Sequence, residues 1–398
     1  MKVLNVNAVY GAGSTGVIVR DIHKLLLKNG IESYVAYSTS YSKHVENGYR
    51  IGGKVGKKLH ALLCRINGKQ GYFSRRATKK FIRYIDELNP DIINLHNLHS
   101  NYIHLNMLLK FLAKKDIKTV VTLHDCWFFT GGCFHYANAG CDKWKEECGG
   151  CPKKKKDTPA YLFDCSGKIL KDRKKCFGAI KNLTAVGVSD WITEESKTLF
   201  KNAITIHNGV DTETFKEAYS NLRKELKLEG KFVILGPASK WLVPHNKDAL
   251  NLLRESFSDD TEIILFGCPD GAKLPSGVRG ISFIRDLEKL AEVYEMADVF
   301  ANPTREDSLP TINLEAQSVG TPVITYDATG AKETVNEKCG FSVKTGDIDE
   351  MIDRIRFIKE KGKGFFKNDC RNWVLEEYDR DKNYLKYLEL YRKLAKEN

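Results

Sequence analysis

Residues 1–125 alternate between short apolar or β-branched runs and segments with apolar residues at helical spacing. This alternation limits the fold more than any other feature, because it predicts a parallel sheet with helices on both faces. Ligands of such sheets bind beyond the carboxyl ends of the strands, so we expect functional residues in the loops that follow them. The predicted strands are 3–10, 34–37, 91–95 and 119–123, and the predicted helices are 16–28, 77–88 and 103–114.

The length of the chain predicts two domains. A chain of 398 residues with 42% hydrophobic residues is globular and too long for one core. A second set of strands, at 232–235, 262–266, 280–284 and 298–303, supports this division. No apolar run reaches the about 18 residues that a membrane span needs. The start reads as a strand rather than a signal peptide, so we expect a cytoplasmic protein whose 11 cysteines are mostly reduced.

A glycine-rich loop follows the first predicted strand. Gly11, Gly13 and Gly16 match the G-x-G-x-x-G pattern between a strand and a helix, which is typical of dinucleotide binding. That pattern also needs an acidic residue about 20 positions further on, at the end of the next strand. The run 37–40 contains none. An NAD-dependent oxidoreductase remains an alternative that depends on this loop alone.

Two acidic residues in 303–323 indicate a different ligand. Asp307 and Glu315 stand on either side of a turn, and a helical pattern over 311–319 ends at Gly320 before an apolar strand at 322–325. Glycine closes helices of this kind because it adopts positive φ readily. The free N–H groups at the helix N-terminus form a site for anions. A nucleotide-sugar, with a diphosphate between two sets of hydroxyls, fits such a site.

This segment resembles the acid-x7-acid signature of the retaining glycosyltransferases of family 4, in particular the capsule and colanic-acid branch. Asp307 replaces the usual first Glu, and SLPT replaces GFGL. The resemblance implies the GT-B fold, in which two Rossmann-like domains face each other across a cleft and a C-terminal helix crosses back to the first. The residues that match directly are Glu315, Ala316, Gly320, Thr321, Pro322 and Val323.

The resemblance also implies where the domains lie. The acceptor-side domain would span 1–213, with a cysteine-rich insertion at about 131–156. The nucleotide-sugar domain would span 214–372, and the returning helix 373–398. The segment 206–212, IHNGVDT, is similar to the family's interdomain segment, and its Asn208-Gly209 pair predicts a tight turn with unusual backbone angles.

The resemblance also implies roles for individual residues of this chain. The family's Arg after the strand at 232–235 is absent, and Lys240 is a substitute without the bidentate fork of Arg. Glu315 would hold the ribose, Asp307 a sugar hydroxyl and His124 the far side of the sugar. The implied catalytic residues are His124, Lys247 and Asp307; the donor-binding residues are Gly13, Ser14, Lys240, Ile284, Arg285, Ser308, Leu309, Pro310, Thr311 and Glu315; and the acceptor residues are His96 and His99.

Four cysteines in the insertion have the spacing C-x7-C-x6-C-x2-C. Four thiolates in a reducing compartment suit a structural zinc, which favours closed tetrahedral sulfur sites. The residues concerned are Cys133, Cys141, Cys148 and Cys151. Instead of a zinc site, these residues could be free buried cysteines or adventitious disulfides. The same four cysteines also leave open a different function, that of a zinc-knuckle protein that binds nucleic acid.

Positive charge is concentrated in the first half. The chain has a net charge of +12, and residues 1–211 carry 34 Lys and Arg against 18 Asp and Glu. The range 54–83 holds ten basic residues and no acidic one, interleaved with apolar residues. Such a segment can lie on an anionic membrane, or it can be a solvated face of Lys-rich helices. No nucleic-acid motif accompanies the charge, so we expect no nucleic-acid partner.

Together these features predict a retaining hexosyl- or hexosaminyl-transferase of surface polysaccharide biosynthesis. The donor would be a nucleotide-sugar, with UDP favoured over GDP, and the acceptor a glycan or a polyprenyl-diphosphate-linked glycan. No cofactor is expected for catalysis. The predicted location is the cytoplasm, at the inner face of the plasma membrane.

Overall fold

The computed structural model describes residues 1–157, 159–217 and 220–397, so Asn398 of the predicted tail lies outside the described residues. The chain forms two compact units. The first comprises Met1–Ile206 with Tyr384–Asn398, and the second His207–Asn383. The sequence predicts the domain boundary after residue 213, a few residues beyond the boundary after Ile206 that the structure shows. Within the described ranges, no helix combines the length and apolar character needed to cross a bilayer.

The first unit contains a seven-stranded sheet whose neighbouring strands are all parallel. Its strands are β1 (Lys2–Tyr10), β2 (Glu32–Ser40), β3 (Gly48–Arg50), β4 (Ile92–Leu95), β5 (Lys118–Leu123), β6 (Leu183–Gly187) and β7 (Ala203–Thr205), in the order β3-β2-β1-β4-β5-β6-β7. Its helices are α1 (Gly13–Lys28), α2 (Lys54–Asn67), α3 (Arg75–Leu88), α4 (Leu105–Lys115), α5 (Ser166–Gly178) and α6 (Asp190–Ser196).

The second unit contains a six-stranded sheet, also with parallel neighbours. The strands are β8 (Phe232–Pro237), β9 (Thr261–Cys268), β10 (Val278–Ser282), β11 (Val299–Asn302), β12 (Val323–Tyr326) and β13 (Gly340–Val343), in the order β10-β9-β8-β11-β12-β13. The helices are α7 (Leu222–Glu225), α8 (Ala238–Trp241), α9 (Lys247–Glu255), α10 (Leu287–Glu295), α11 (Thr311–Ser318), α12 (Ile348–Lys361) and α13 (Lys363–Glu377).

The predicted parallel sheets are confirmed. β1, β4 and β5 are buried along nearly their whole length, as expected for strands covered by helices on both faces. The predicted strand at 280–284 ends earlier, at Ser282. The three-residue strands β3 and β7 escaped prediction because three residues are too few to show a periodic pattern.

The last helix, α14 (Arg380–Lys396), begins in the second unit and continues into the first. Its aromatic face packs into the core of the first unit against residues of β1, α1, β4 and β5. The side-chain amide of Asn94 donates to the hydroxyl of Tyr391 over 2.7 Å, and both residues are fully buried. The prediction that the tail returns to the first domain is confirmed. The packed residues of α14 are Tyr384, Tyr387, Leu388 and Tyr391.

The Asn208-Gly209 pair does not form the predicted turn. Neither residue has a positive φ. Glycine is needed for a different reason, because a Cβ at Gly209 would lie 2.2 Å from the Cα of Arg380. The two segments are joined by backbone hydrogen bonds, from the Val210 N–H to the Tyr378 carbonyl at 2.8 Å and from the Arg380 N–H to the Val210 carbonyl at 3.0 Å. A side chain at position 209 would force these segments apart.

Replacing Gly209 by Ala should therefore lower the free energy of unfolding by about 3 kcal/mol, the upper range for overpacking. Gly364→Ala is the matched control, since Gly364 lies in α13 of the same unit with no atom near its missing Cβ. That change should raise stability by up to about 1 kcal/mol through helix propensity. Urea unfolding followed by circular dichroism measures both. Equal stability of Gly209→Ala and wild type would contradict the close approach.

Candidate functional site

The functional residues predicted in the first unit follow three neighbouring strands. Gly13 and Ser14 follow β1, His96 and His99 follow β4, and His124 follows β5. These strands are adjacent in the order β1-β4-β5. Because parallel strands end at the same edge, the five residues lie along one edge of the sheet. The sequence-based placement of these residues after strands agrees with the structure.

His96 and His124 form a pair. The Nδ1 atom of His96 lies 3.0 Å from the Nε2 atom of His124, and their rings stack with centroids 5.3 Å apart. Burial lowers the pKa of His124 to about 4, although the neighbouring Asp125 acts in the opposite direction. Burial, and then the imidazole of His124, also lower the pKa of His96 well below its usual value. Both rings are therefore neutral at pH 7.

The contacts of His96 link this pair to β1. Its Nε2 atom makes a long contact of 3.5 Å with the side-chain amide of Asn5, and which ring nitrogen carries the proton depends on the orientation of that amide. The Nδ1 atom of His124 is buried and has no hydrogen-bond partner in the described part of the chain.

His99 makes different contacts. Its Nε2 atom lies 3.1 Å from a carboxylate oxygen of Asp125, whose other oxygen accepts the Trp127 N–H at 2.8 Å. Burial favours the protonated acid, but the hydrogen bond and charge of His99 outweigh it and hold the pKa of Asp125 below its usual value. The His99 ring also packs against Phe134, with centroids 4.6 Å apart. These contacts fix His99 in place, and its role towards the acceptor stays a prediction.

The four cysteines of the insertion line one small cavity, of about 20 Å³. None forms a disulfide. Burial raises the pKa of Cys133 to about 12, and the thiols of Cys151 and Cys148 add to the shift. A Cβ at Gly131 would lie 2.8 Å from the Sγ of Cys148, so glycine lets this thiol approach. Among the residues described, no three of the four Sγ atoms lie within 4.8 Å of one another.

In the second unit, Lys240 and Asp307 are in contact. Lys240 follows β8 and Asp307 follows β11, which is the neighbouring strand. The Nζ atom of Lys240 lies 3.6 Å from a carboxylate oxygen of Asp307, with both side chains partly exposed. Lys247 is the first residue of α9 and is exposed. Among the residues that the structure describes, no carboxylate lies within 4.0 Å of the Lys247 ammonium group.

The turn before α11 leaves its helix N-terminus uncapped. Pro310 precedes the helix, and no side chain accepts a hydrogen bond from its first turn. Asp307 instead accepts from the Leu309 N–H at 3.3 Å, within the turn. The hydroxyl of Ser308 is buried without a partner in the described residues. The N–H groups of Thr311 and Ile312 therefore remain available to an anion, whereas the Asn313 N–H donates to the Pro310 carbonyl at 3.0 Å.

Glu315 lies within α11 and is held by a tyrosine that sequence reasoning missed. The hydroxyl of Tyr294, on α10, donates to a carboxylate oxygen of Glu315 over 2.9 Å. Burial raises the pKa of Glu315, and the hydrogen bonds from Tyr294 and Thr311 partly oppose this. The only sequence signal was a tyrosine on the helix that precedes the acidic pair. Its partner could not be inferred because α10 and α11 meet only in the folded unit.

Ile284 and Arg285 lie in the loop between β10 and α10, at the same edge of the sheet as the acidic pair. Arg285 is exposed, and its neighbour Phe283 is 75% exposed. Within the described residues, no hydrogen bond joins Ile284 or Arg285 to the other predicted site residues. Their contact with the nucleobase stays a prediction, and Phe283 is a further large apolar side chain that the sequence did not single out.

Two family models match the chain. Residues 15–148 match Glycosyltransferase Family 4, and residues 206–360 match Glycosyl transferases group 1. Together the models cover well over half of the sequence, and each falls mainly in one structural unit. The matches support neither the oxidoreductase nor the nucleic-acid alternative.

Among curated relatives, the chain is 24% identical over 377 residues to the putative colanic acid biosynthesis glycosyl transferase WcaC of Escherichia coli, covering 88% of this chain and 89% of the relative. It is 31% identical over 104 residues, 26% of this chain and 27% of the relative, to the E. coli UDP-Gal:alpha-D-GlcNAc-diphosphoundecaprenol alpha-1,3-galactosyltransferase. Among solved structures, the Anabaena protein HepE, crystallised with UDP, superposes with a TM-score of 0.66 at 16% identity over 99% of this chain and 100% of HepE.

Three findings lead to the same assignment. They are the site residues in loops at the strand ends, the acid-x7-acid segment that runs from the turn before α11 into this helix, and the two family matches. The chain belongs to the family 4 glycosyltransferases, and it is a glycosyltransferase with the GT-B fold.

Proposed function

We propose that this enzyme transfers a hexosyl or hexosaminyl residue, with retention, from a nucleotide-diphosphate-sugar to a lipid-linked glycan acceptor in surface polysaccharide biosynthesis. The observation that carries the proposal is the arrangement around α11. Its uncapped N-terminus lies between Asp307, in contact with Lys240, and Glu315, held by Tyr294. One relative is named for colanic acid biosynthesis and another for a diphosphoundecaprenol-linked acceptor, which supports a diphosphate-linked acceptor and a product that is a capsule, exopolysaccharide or O-antigen.

The donor would lie along the carboxyl edge of the second sheet. The diphosphate accepts hydrogen bonds from the first-turn N–H groups of α11, helped by the helix dipole. Lys247 and Lys240 supply positive charge, and the ribose hydroxyls donate to Glu315. The base packs at Ile284 and Arg285. A UDP-sugar is favoured over a GDP-sugar, since HepE was crystallised with UDP and the galactosyltransferase relative is named for a UDP-sugar.

The transfer takes place on one face of the donor sugar. The bond between the anomeric carbon and the diphosphate oxygen breaks, and an acceptor hydroxyl forms the new bond from the same side. The departing diphosphate takes the proton of that hydroxyl. Lys247 and the N-terminus of α11 stabilise the charge on the leaving group, which is worth about 3–4 kcal/mol per key donor. No step requires a cofactor.

The remaining residues orient the sugar. Asp307 accepts from a sugar hydroxyl, and His124 contacts the far side of the sugar. Gly13 and Ser14 bring backbone close to the donor phosphates and the acceptor. His96 supports His124 through their hydrogen bond, and His99 faces the acceptor. The neutral state of the histidine pair suits this role, because a neutral imidazole can accept a hydrogen bond from a hydroxyl.

Glu315→Gln should weaken binding of the donor nucleotide about 10- to 100-fold, because a charge-assisted hydrogen bond to the ribose is lost. Isothermal titration with UDP and UDP-sugars measures the effect. Glu288→Gln is the control, since Glu288 is an exposed residue of α10 and should leave affinity unchanged. If Glu315→Gln binds every donor nucleotide as tightly as wild type, the donor site is assigned wrongly.

We also propose that the insertion holds a structural zinc. The four thiols suit zinc in chemistry and number, and they surround one cavity without forming disulfides. Burial raises the pKa of Cys133, Cys148 and Cys151, and a bound cation would oppose this shift, since metal binding favours the thiolate. Bound zinc would draw the Sγ atoms of Cys133, Cys141, Cys148 and Cys151 together and fix a loop that contains little helix or strand.

Purified without a histidine tag, the enzyme should therefore contain about one zinc per chain. Cys148→Ser or Cys151→Ser should lose it, and both should lower the temperature of unfolding, because metal binding contributes to folding. Cys165→Ser is the control, because Cys165 is also partly exposed but does not line the cavity of the four thiols. Elemental analysis gives the answer, and reduced, active enzyme without zinc would exclude the site.

We propose, finally, that the enzyme is cytoplasmic and docks on the inner, anionic face of the plasma membrane through α2. Val55, Leu59, Leu62 and Ile66 are 82%, 56%, 53% and 41% exposed, and their spacing places them on one side of the helix. We call them the apolar face of α2. Exposed apolar residues rimmed by lysine and arginine are typical of helices that lie in a bilayer interface.

A second exposed segment adjoins this face. Tyr161, Leu162 and Phe163 are each more than half exposed. The Tyr161 N–H donates to the carbonyl of Arg65, near the end of α2, over 2.7 Å. The apolar face and this segment would enter the interface together, while neighbouring lysines approach lipid phosphates.

The double change Leu59→Ser and Leu62→Ser should weaken binding to anionic vesicles about tenfold or more, because apolar area no longer enters the bilayer. Phe365→Ser is the control, since Phe365 is 66% exposed but belongs to the second unit. Co-sedimentation at low and high salt measures binding. The wild-type enzyme could fail to bind vesicles at low salt, or bind neutral and anionic vesicles equally. Either result would show that the charge of α2 serves only solubility.

A further inference from the structure

A cavity of about 350 Å³ opens on the first unit between the ends of β2 and β4 and the helix α2. Ser38 and Thr39, at the end of β2, line one side, and Ser100 and Asn101, in the loop after β4, line another. β2 and β4 are the two neighbours of β1, whose end carries the loop with Gly13. The cavity therefore lies at the functional edge of the first sheet, on the side away from the histidine that follows β5.

The rest of the lining is strongly cationic. Arg50, Lys54, Lys57 and Lys58 all line the cavity, and no acidic side chain does. Within the described part of the chain, none of the four cations has a carboxylate within 4.0 Å. The Nζ atom of Lys57 donates to the Thr39 hydroxyl over 2.9 Å, and burial, then the charge of Arg50, lower the pKa of Lys57. Cations held together without a counter-ion repel one another, and an anion in the cavity would relieve that repulsion.

The loop after β4 has the strained geometry that often marks a binding site. Ser100 and Asn101 have φ values of 79° and 63°, in the left-handed region that non-glycine residues avoid. The side-chain oxygen of Asn101 is buried and accepts no hydrogen bond within the part of the chain described. Hydroxyl and amide groups thus face the cations across the cavity, a combination that suits a phosphate joined to a sugar.

α2 connects this cavity to the apolar face. Lys54, Lys57, Lys58 and Ala61 form the cavity side of the helix. At 3.6 residues per turn, this side and the apolar face lie about 120° apart around the helix axis. His60 and Cys64 point to the core on a third side. A molecule with its head in the cavity could therefore pass its tail around α2 to the surface that meets the bilayer.

We propose that the cavity lined by Arg50, Lys54, Lys57 and Lys58 binds the diphosphate of the lipid-linked acceptor. This inference rests on the proposed function, since it names the part of the acceptor that the enzyme holds. The cavity lies within the range of small-molecule sites, from about 300 to 1,000 Å³, so it has room for a diphosphate and part of the adjoining sugar. Its four cations match the charge of a diphosphate better than that of a single phosphodiester.

Titration with inorganic diphosphate tests the site directly. UDP is kept saturating so that the anion site of the second unit is filled. Lys54→Gln with Lys57→Gln should reduce diphosphate affinity at least about tenfold, and Arg50→Gln should do so independently, because each removes positive charge from the cavity. Lys24→Gln with Lys28→Gln is the matched control: it removes equal charge from the exposed side of α1 and should leave affinity unchanged. Equal affinity of the cavity variants and wild type would overturn the proposal.

Vesicles distinguish the possible sources of the phosphate. Neutral vesicles doped with an isoprenyl diphosphate are compared with phosphatidylglycerol vesicles of equal total charge. Wild type should prefer the diphosphate vesicles, and the Lys54 and Lys57 variant should lose that preference. Equal binding of wild type to both vesicles would assign the cavity to bulk lipid and overturn the acceptor assignment. An error in the proposed donor site would appear instead as unchanged nucleotide affinity in Glu315→Gln, with these titrations unaffected.

Discussion

The structure depends first on the parallel pairing of strands in both sheets. Parallel strands run in one direction, so the loops that follow them meet at one edge of the sheet, whether the connection contains a helix or, as between β2 and β3 and between β9 and β10, only a loop. Residues as distant in sequence as Gly13, His96 and His124 are brought to one edge in the first unit by this constraint alone. Lys240 and Asp307 meet at the edge of the second sheet in the same way. The chemistry of the enzyme is thus concentrated in loops, while the strands supply rigidity.

Buried polar contacts hold these loops in place. In the second unit, the side-chain amide of Asn246 donates to the carbonyls of Lys240 and Pro303, at 2.9 and 3.0 Å, and so ties the loop after β8 to the loop after β11. The indole N–H of Trp241 donates to the Ala301 carbonyl over 2.9 Å. Asn313 links α11 to Asn302, at the end of β11, over 2.8 Å. Such fully buried bonds fix loop geometry, because breaking one leaves a polar group without water or partner.

Charge and apolar exposure separate the roles of the two units. The excess of lysine and arginine lies in residues 1–211, and the structure concentrates part of it around one cavity and one helix. An apolar face on the surface of a helix is unfavourable in water and becomes favourable when a bilayer covers it. Beside it, uncompensated cations favour a bound anion. Both features belong to the unit that the proposal assigns to the acceptor, whereas the uncapped helix N-terminus belongs to the unit assigned to the donor.

The sequence by itself determined the two parallel sheets, the positions of most of their strands along the chain, a helix over 311–319 that in the structure spans Thr311–Ser318 and is followed by Gly320 with φ of 83°, and the residues that follow the strands. Hydrophobic periodicity and glycine chemistry are local, so they can be read along the chain. The tertiary structure decided what no local pattern contains: the hydrogen bond from Tyr294 to Glu315, the contact between the rings of His96 and His124, and the reason for Gly209, which is a close approach of Arg380 rather than a turn. These depend on contacts between segments far apart in sequence, which form only when the helices pack against the sheets.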